Sequence, residues 1–319
     1  MKVHFWGTRG SMPVSLTARH IRAKVKKALR AALEAGLSNP EDIDVFVDRK
    51  LPFSVRGGFG TNTSCVEILN DSEEFIVCDA GTGIKAFGED VLGRRLHGRP
   101  GVFHLFLSHL HWDHIQGFPF FAPAYIPGNR IMVYGGHQQI PYALKTQQSQ
   151  PFFPVDFDNL SADIQFITLE PGQTYQIAGR QVEVLPQAHP GDSFGYKFTG
   201  KASSAIYSTD SEHKLESREI MSPFLEFCRE ADLLIFDAQY GFAESQTLKE
   251  DWGHSSNIVG VELAKDAGVK HLCLFHQEPS LNDAELEAFL KETRRYARIY
   301  KRETSLRVSM AYDGLELAV

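Results

Sequence analysis

The sequence predicts an α/β (α+β) fold in which sheets pack face to face with helices outside. Three observations lead there. Short runs rich in Val, Ile, Phe and Leu recur along the chain and end in polar or Gly-containing turns, as strands do. Helical patterns stand between some of these runs, while other runs follow one another directly, a mixture that suits layered sheets. The chain has 319 residues, 43% hydrophobic and 23% charged, enough to bury a core without disulfide or metal staples.

Strands are expected at Lys2–Trp6, Ser64–Leu69, Glu74–Asp79, Val102–Ser108, Ile131–Tyr134, Gln181–Leu185, Ala205–Ser208, Leu233–Phe236 and His271–Phe275. Helices are expected at Ser222–Glu230, Asn257–Ala267 and Asp283–Tyr300, the last capped by Asn282 or Asp283 with Glu285 and Glu287 in its early turns. The final stretch, Leu306–Ala311, Tyr312-Asp313-Gly314 and Leu315–Val319, reads as a closing hairpin. One segment looks added. Thr17–Gly36 is a basic, Ala-rich helical stretch in which Arg19, Arg22, Lys24, Lys26, Lys27 and Arg30 surround Ile21, Val25, Leu29 and Leu33, with Gly36 as a C-cap. It reads either as an amphipathic helix packed on the domain or on a second subunit, or as a lid whose positive face attracts a phosphorylated substrate.

The net charge of −7 provides no global field for nucleic acid. Cys65, Cys78, Cys228 and Cys273 are scattered, form no C-x-x-C, and suit buried positions in a reducing compartment. The N-terminus reads as a strand with no signal peptide, and no apolar run is long enough for a membrane span, so a cytoplasmic protein is expected.

The chemistry is concentrated in Ser108-His109-Leu110-His111-Trp112-Asp113-His114, an H-x-H-x-D-H pattern. In an extended segment side chains two apart share a face, so His109 and His111 can grip one metal ion. Asp113 and His114 then face a second position as the chain turns. Downstream, His189, Asp210 and His276 follow strand-like runs, and His254 precedes a helical one. Strand ends of one layered sheet open on a common edge, where these side chains can converge. One metal would take His109, His111 and His189, and a second would take Asp113, His114 and His276. The two oxygens of Asp210 would bridge them. No cysteine stands among these candidates, which favours an open catalytic site over a closed thiolate one. Two divalent ions are therefore expected, zinc first and manganese as the alternative.

These residues resemble the metallo-β-lactamase superfamily, whose motifs they follow in order. Asp79 in Asp79-Ala80-Gly81-Thr82-Gly83 resembles the strand-end aspartate that precedes the metal motif. The resemblance implies a single domain over residues 1–319 with an inserted helical segment at about 14–56. It also implies a four-layer αβ/βα sandwich with the metals at one edge of the two sheets. Gly253-His254-Ser255-Ser256, Phe5-Trp6-Gly7-Thr8-Arg9-Gly10-Ser11 and Asn62-Thr63-Ser64-Cys65 resemble the phosphodiesterase branch, which includes ribonuclease Z and cyclic nucleotide phosphodiesterases. In that branch the extra histidine sits near the scissile phosphate, so His254 is expected to assist the leaving group as a general acid. Asp113 and His254 are the expected catalytic residues. Asp79 and Asp237 are expected as carboxylates that support the ligands, Asp237 by holding a metal-ligand histidine in its tautomer.

The long basic arm with which ribonuclease Z grips transfer RNA has no counterpart here, since His189 and Asp210 are separated only by Pro190–Thr209. A small phosphodiester, such as a cyclic nucleotide, is the expected substrate, with no nucleic acid and no membrane as partner, and a homodimer by analogy with the branch. Ser193 and Phe194 are expected to line the pocket. The alternatives are a ribonuclease Z-like RNA phosphodiesterase, a thioester or lactone hydrolase, a metal-bound nucleotide-binding protein without turnover, and a diiron protein that reduces oxygen. The Gly-His-Ser-Ser motif argues against the thioester and lactone reading.

Overall fold

The computed structural model describes residues 1–69, 74–214, 218–245, 247 and 249–319. Their strands are β1 (Lys2–Gly7), β2 (Cys65–Leu69), β3 (Glu74–Cys78), β4 (Val102–Phe106), β5 (Arg130–Gly135), β6 (Asp163–Thr168) and β7 (Thr174–Ile177). They continue as β8 (Arg180–Gln187), β9 (Ser193–Thr199), β10 (Ser204–Ser208), β11 (Leu233–Asp237), β12 (His271–Phe275), β13 (Arg307–Met310) and β14 (Glu316–Ala318). One sheet has the order β14-β1-β2-β3-β4-β5-β6 and the other β13-β12-β11-β10-β9-β8-β7. In the first sheet β3 to β6 run parallel, and in the second β10 to β13 do.

Side-chain patterning explains the layers. The β11 run Leu-Leu-Ile-Phe-Asp is buried throughout, because a central parallel strand is covered on both faces. Val3, Phe5, Phe106, Tyr196, Phe198 and Phe275 meet between the sheets. Phe87, Phe103 and Phe121 lie between the first sheet and its helices, and Phe236, Leu263 and Leu286 between the second sheet and its own. Burying a side chain of this size contributes roughly 1.5–3 kcal/mol. The result is the expected helix–sheet–sheet–helix sandwich.

Three strands carry weaker patterns than the rest. Edge strand β6 is mostly half-exposed, β7 has four residues, and β9 is interrupted by Gly195 and Lys197. The expected closing hairpin does not form. β13 belongs to one sheet and β14 to the other, so Tyr312-Asp313-Gly314 crosses the sandwich edge. The crossing is pinned by Asp313, whose carboxylate accepts hydrogen bonds from Thr61 N (2.8 Å), Asn62 N (3.0 Å) and Thr8 Oγ1 (3.1 Å).

The basic stretch is a helix, Ala18–Glu34, with Thr17 as N-cap and Gly36 in the left-handed conformation just past its end. None of its residues is buried. Ile21, Val25, Leu29 and Leu33, spaced four apart, are exposed. Lys24 reaches Asp283 at 2.5 Å and the Ser54 carbonyl at 2.9 Å, so this cation ties the segment to the C-terminal helix Asp283–Ile299.

Candidate metal centre

Loops at one edge of the sandwich carry the candidate residues. His109 to His114 follow β4, Asp79 follows β3, and Asp210, Asp237 and His276 end or follow β10, β11 and β12. His189 lies between β8 and β9, and His254 just before the helix Asn257–Asp266. Parallel strands that end together deliver these side chains to one place. Asp79, Asp210 and His276 have φ of +62°, +43° and +60°. This left-handed conformation costs an ordinary residue about 1–3 kcal/mol and is kept only where the surroundings enforce it.

Besides the trio Asp237, His254 and His276, two groups of four donor residues result, each within 4.8 Å: His109, His111, His189 and Asp210, and Asp113, His114, Asp210 and His276. Asp210 belongs to both. Its Oδ2 lies 3.6 Å from His109 Nε2 and 3.7 Å from His189 Nε2, while its Oδ1 lies 3.2 Å from His114 Nε2 and 3.3 Å from His276 Nε2. Asp113 Oδ2 lies 3.2 Å from both His114 Nε2 and His276 Nε2. The division matches the one expected from spacing.

The outer ring nitrogens are anchored. His109 Nδ1 lies 3.1 Å from Ser108 Oγ, His189 Nδ1 lies 2.8 Å from the Gly253 carbonyl, and His114 Nδ1 lies 2.7 Å from Asp79 Oδ2. A proton fixed on the outer nitrogen leaves the inner lone pair for a cation. His109 Nε2 and His114 Nε2 are buried without hydrogen-bond partners. Buried polar atoms are normally satisfied, so these two fit a bound cation. Nitrogen and oxygen donors without sulfur suit zinc or manganese.

Electrostatics divides the residues by role. Burial pushes the His109 pKa well below its ordinary value, and it lowers those of His111 and His189 as well. Burial opposes charge on Asp210, yet His276, His114 and His109 hold its carboxyl well below the usual range. Burial also opposes a proton on His114, but Asp210, Asp113 and Asp79 outweigh it and raise its pKa. For His254, burial is overcome by Asp237, and the imidazole is pushed up to about 9.

Asp237 differs from expectation in its choice of histidine. Its Oδ2 lies 2.8 Å from His254 Nδ1, whereas its Oδ1 is 3.9 Å from His276 Nδ1. It also accepts from Ser211 N and Gln239 N, so it closes a turn as well. Asp79 accepts from Ser108 N, Ser108 Oγ, His114 Nδ1 and Tyr207 OH, at 2.6–2.7 Å. Tyr207 and Ser11, whose N–H reaches Asp113 at 2.8 Å, were missed by sequence reasoning. Tyr207 is one aromatic in a core strand, and Ser11 acts through its backbone, so neither carries a signal.

A cavity of about 840 Å³ lies beside His189 and Gly253, with Pro186, Pro190, Pro223 and Phe224 among its walls. Ser193 and Phe194 do not line it. Ser193 is buried beside Gln187 and Thr209, and Phe194 packs over Gly136 and His137.

The chain is 24% identical to a ribonuclease Z of Methanosarcina acetivorans over 279 residues, which cover 73% of this chain and 87% of the relative. The metallo-beta-lactamase fold protein YhfI from Bacillus subtilis superposes with a TM-score of 0.61 at 18% identity, covering 99% of this chain and 98% of that one. The short form of human tRNase Z superposes with a TM-score of 0.59 at 18% identity, covering 100% and 99%. Residues 75–277, well over half of the chain, match the model of the beta-lactamase superfamily domain. The protein therefore belongs to the metallo-β-lactamase superfamily.

Proposed function

We propose that the protein is a two-metal hydrolase of small phosphodiesters, such as cyclic nucleotides. The observation that carries this reading is Asp210, whose two oxygens face two separate sets of histidines. His109, His111 and His189 would hold one divalent cation, zinc or manganese, and Asp113, His114 and His276 the other, with Asp210 between them. Such a pair of cations neutralises phosphoryl oxygens and makes hydroxide available near neutral pH. Asp79 and Ser108 hold the outer nitrogens, Nδ1, of His114 and His109, which leaves their Nε2 atoms facing inward.

His254 supplies the remaining requirement, a proton for the leaving oxygen. Its Nδ1 is held by Asp237, which leaves Nε2 as the nitrogen that donates. In the metal-free protein burial is outweighed by Asp237, and the ring is pushed up to about 9. The cavity beside His189 has the volume of a small-molecule site. A cytoplasmic, homodimeric enzyme of one domain, with residues 14–56 inserted, completes the proposal.

Protein loaded with Zn²⁺ or Mn²⁺ should cleave bis-p-nitrophenyl phosphate. His254→Ala should lose most of this activity while retaining its metal. Absence of turnover under every metal loading would sink the reading.

A second reading is favoured by the ribonuclease Z relative, and it opposes the expectation that nucleic acid is no partner. Competition between a cyclic nucleotide and a transfer-RNA precursor decides between the two substrates.

A further inference from the structure

A second cavity, of about 690 Å³, lies away from the candidate metal centre and shares no lining residue with it. It sits at the open edge of the sandwich. Arg307 and Ser309 of edge strand β13 form part of it, and Leu315 and Leu317, the latter in edge strand β14, form another part. The C-terminal helix contributes Lys291, Arg294 and Arg298, which recur at three- and four-residue spacing and so share a face. Phe53, Phe59 and Tyr312 add an aromatic part to the lining. Phe53 packs on Phe59 at 4.8 Å and on Tyr312 at 4.7 Å.

The charge balance of this cavity is unusual for a protein of net charge −7. Lys291, Arg294, Arg298 and Arg307 form no ion pair among the described residues. The carboxylate on the wall, Glu287, is already engaged by Phe53 N at 2.9 Å and Ser54 Oγ at 2.5 Å. Arg294 donates its Nε–H to the Val308 carbonyl at 2.9 Å, which fixes its guanidinium against β13. Burial, then Arg307 and Arg298, lower its pKa, so these cations feel one another. Burial, then Arg307 and Arg294, push His271 on the neighbouring strand down to about 4.

Three cations from the helix and Arg307 from β13 line the same cavity, so their fields add there and favour an anion. Guanidinium groups suit phosphate because their N–H groups match its oxygens. The aromatic and aliphatic part of the lining suits a flat apolar body. We propose that this cavity is a binding site for a phosphate monoester that carries an aromatic ring, the chemistry of a nucleoside monophosphate.

The test uses the full chain stripped of metal with a chelator, so that phosphate has no cation to bind at the other site. Calorimetric titration with AMP should give one saturable site that weakens as salt is raised. Inorganic phosphate should bind more weakly, because it leaves the aromatic wall unused. Arg298→Gln and Arg307→Gln, whose side chains make no ion pair, should each weaken AMP about tenfold with the melting temperature unchanged. Tyr312→Ala should weaken AMP and leave phosphate as it was. The proposal is overturned if AMP does not bind saturably, if it binds no tighter than phosphate, or if both arginine variants bind it like the parent. None of these readouts depends on hydrolytic activity.

Discussion

Replacing Asp79 with Asn exchanges one oxygen for NH₂ and tests how the centre is held. The carboxylate is fully buried and accepts from Ser108 N, Ser108 Oγ, His114 Nδ1 and Tyr207 OH. An amide keeps the shape but turns one oxygen into a donor. Placed at Oδ2, the NH₂ would face three donors; placed at Oδ1, it faces only Ser108 N. The second orientation is less costly. It leaves the Ser108 N–H and the new NH₂ facing each other without an acceptor, at about 1–3 kcal/mol each, and removes the charge from three hydrogen bonds. The sum exceeds about 3 kcal/mol, a fall in melting temperature of roughly 5 °C or more for the metal-free protein. His114 then loses the anion that makes its inner nitrogen basic, so metal affinity should drop about 10–100-fold. Scanning calorimetry of the metal-free protein reads the first number, and competition with a zinc chelator reads the second. A variant that melts lower but binds zinc as the parent does would refute the positioning role of Asp79. Unchanged melting would refute the energetic argument.

His254 and Asp237 make stability depend on pH in the metal-free protein. Because the folded pKa of His254 is raised to about 9, its contribution is full below about 6.5 and is lost as pH rises through 9. The pH-dependent part of the gap between parent and His254→Gln should be about 3 kcal/mol at pH 6 and near zero above pH 10, read from denaturant melts. A gap that is flat with pH contradicts the pairing. A Cβ at position 10 would stand 2.7 Å from His276 Nδ1 and Cε1, too close for the ring to stay in place. Gly10→Ala should therefore cost about 1–3 kcal/mol and weaken the second donor group more than the first, seen as one tight and one weak zinc in titration.

The fold was legible where both faces of a strand are covered. β4, β10, β11 and β12 are short apolar runs, and the residues after them proved to be the ones that converge. Half-exposed or interrupted strands such as β6 and β9 were not legible, because their composition resembles that of loops. The crossing at Asp313 was read as a hairpin because turn chemistry is local, whereas the bonds that hold it come from Thr8, Thr61 and Asn62. The residues that converge were visible through type and spacing. What spacing cannot carry is orientation: Asp237 pairs with His254 because both lie beside Ser211 and the Gly253 turn, a relation of the folded chain.

Charge gives the centre a further property. Asp79, Asp113, Asp210 and Asp237 are all buried within one small region, and four anions that close repel strongly at low dielectric. The metal-free protein relieves this with protons, which is why His114 is raised well above its ordinary value and His254 to about 9. Two divalent cations would bring four positive charges to the same place. His114 cannot offer Nε2 to a cation while it holds a proton there, so metal uptake must release protons. Titration of zinc into metal-free protein at pH 7, in buffers of different ionisation enthalpy, should show net proton release. Affinity should fall as pH is lowered. In His114→Ala the release should be smaller by about one proton. Equal heats in all buffers would mean that the histidines are already neutral, and that the four carboxylates are balanced by something other than protons on their neighbours.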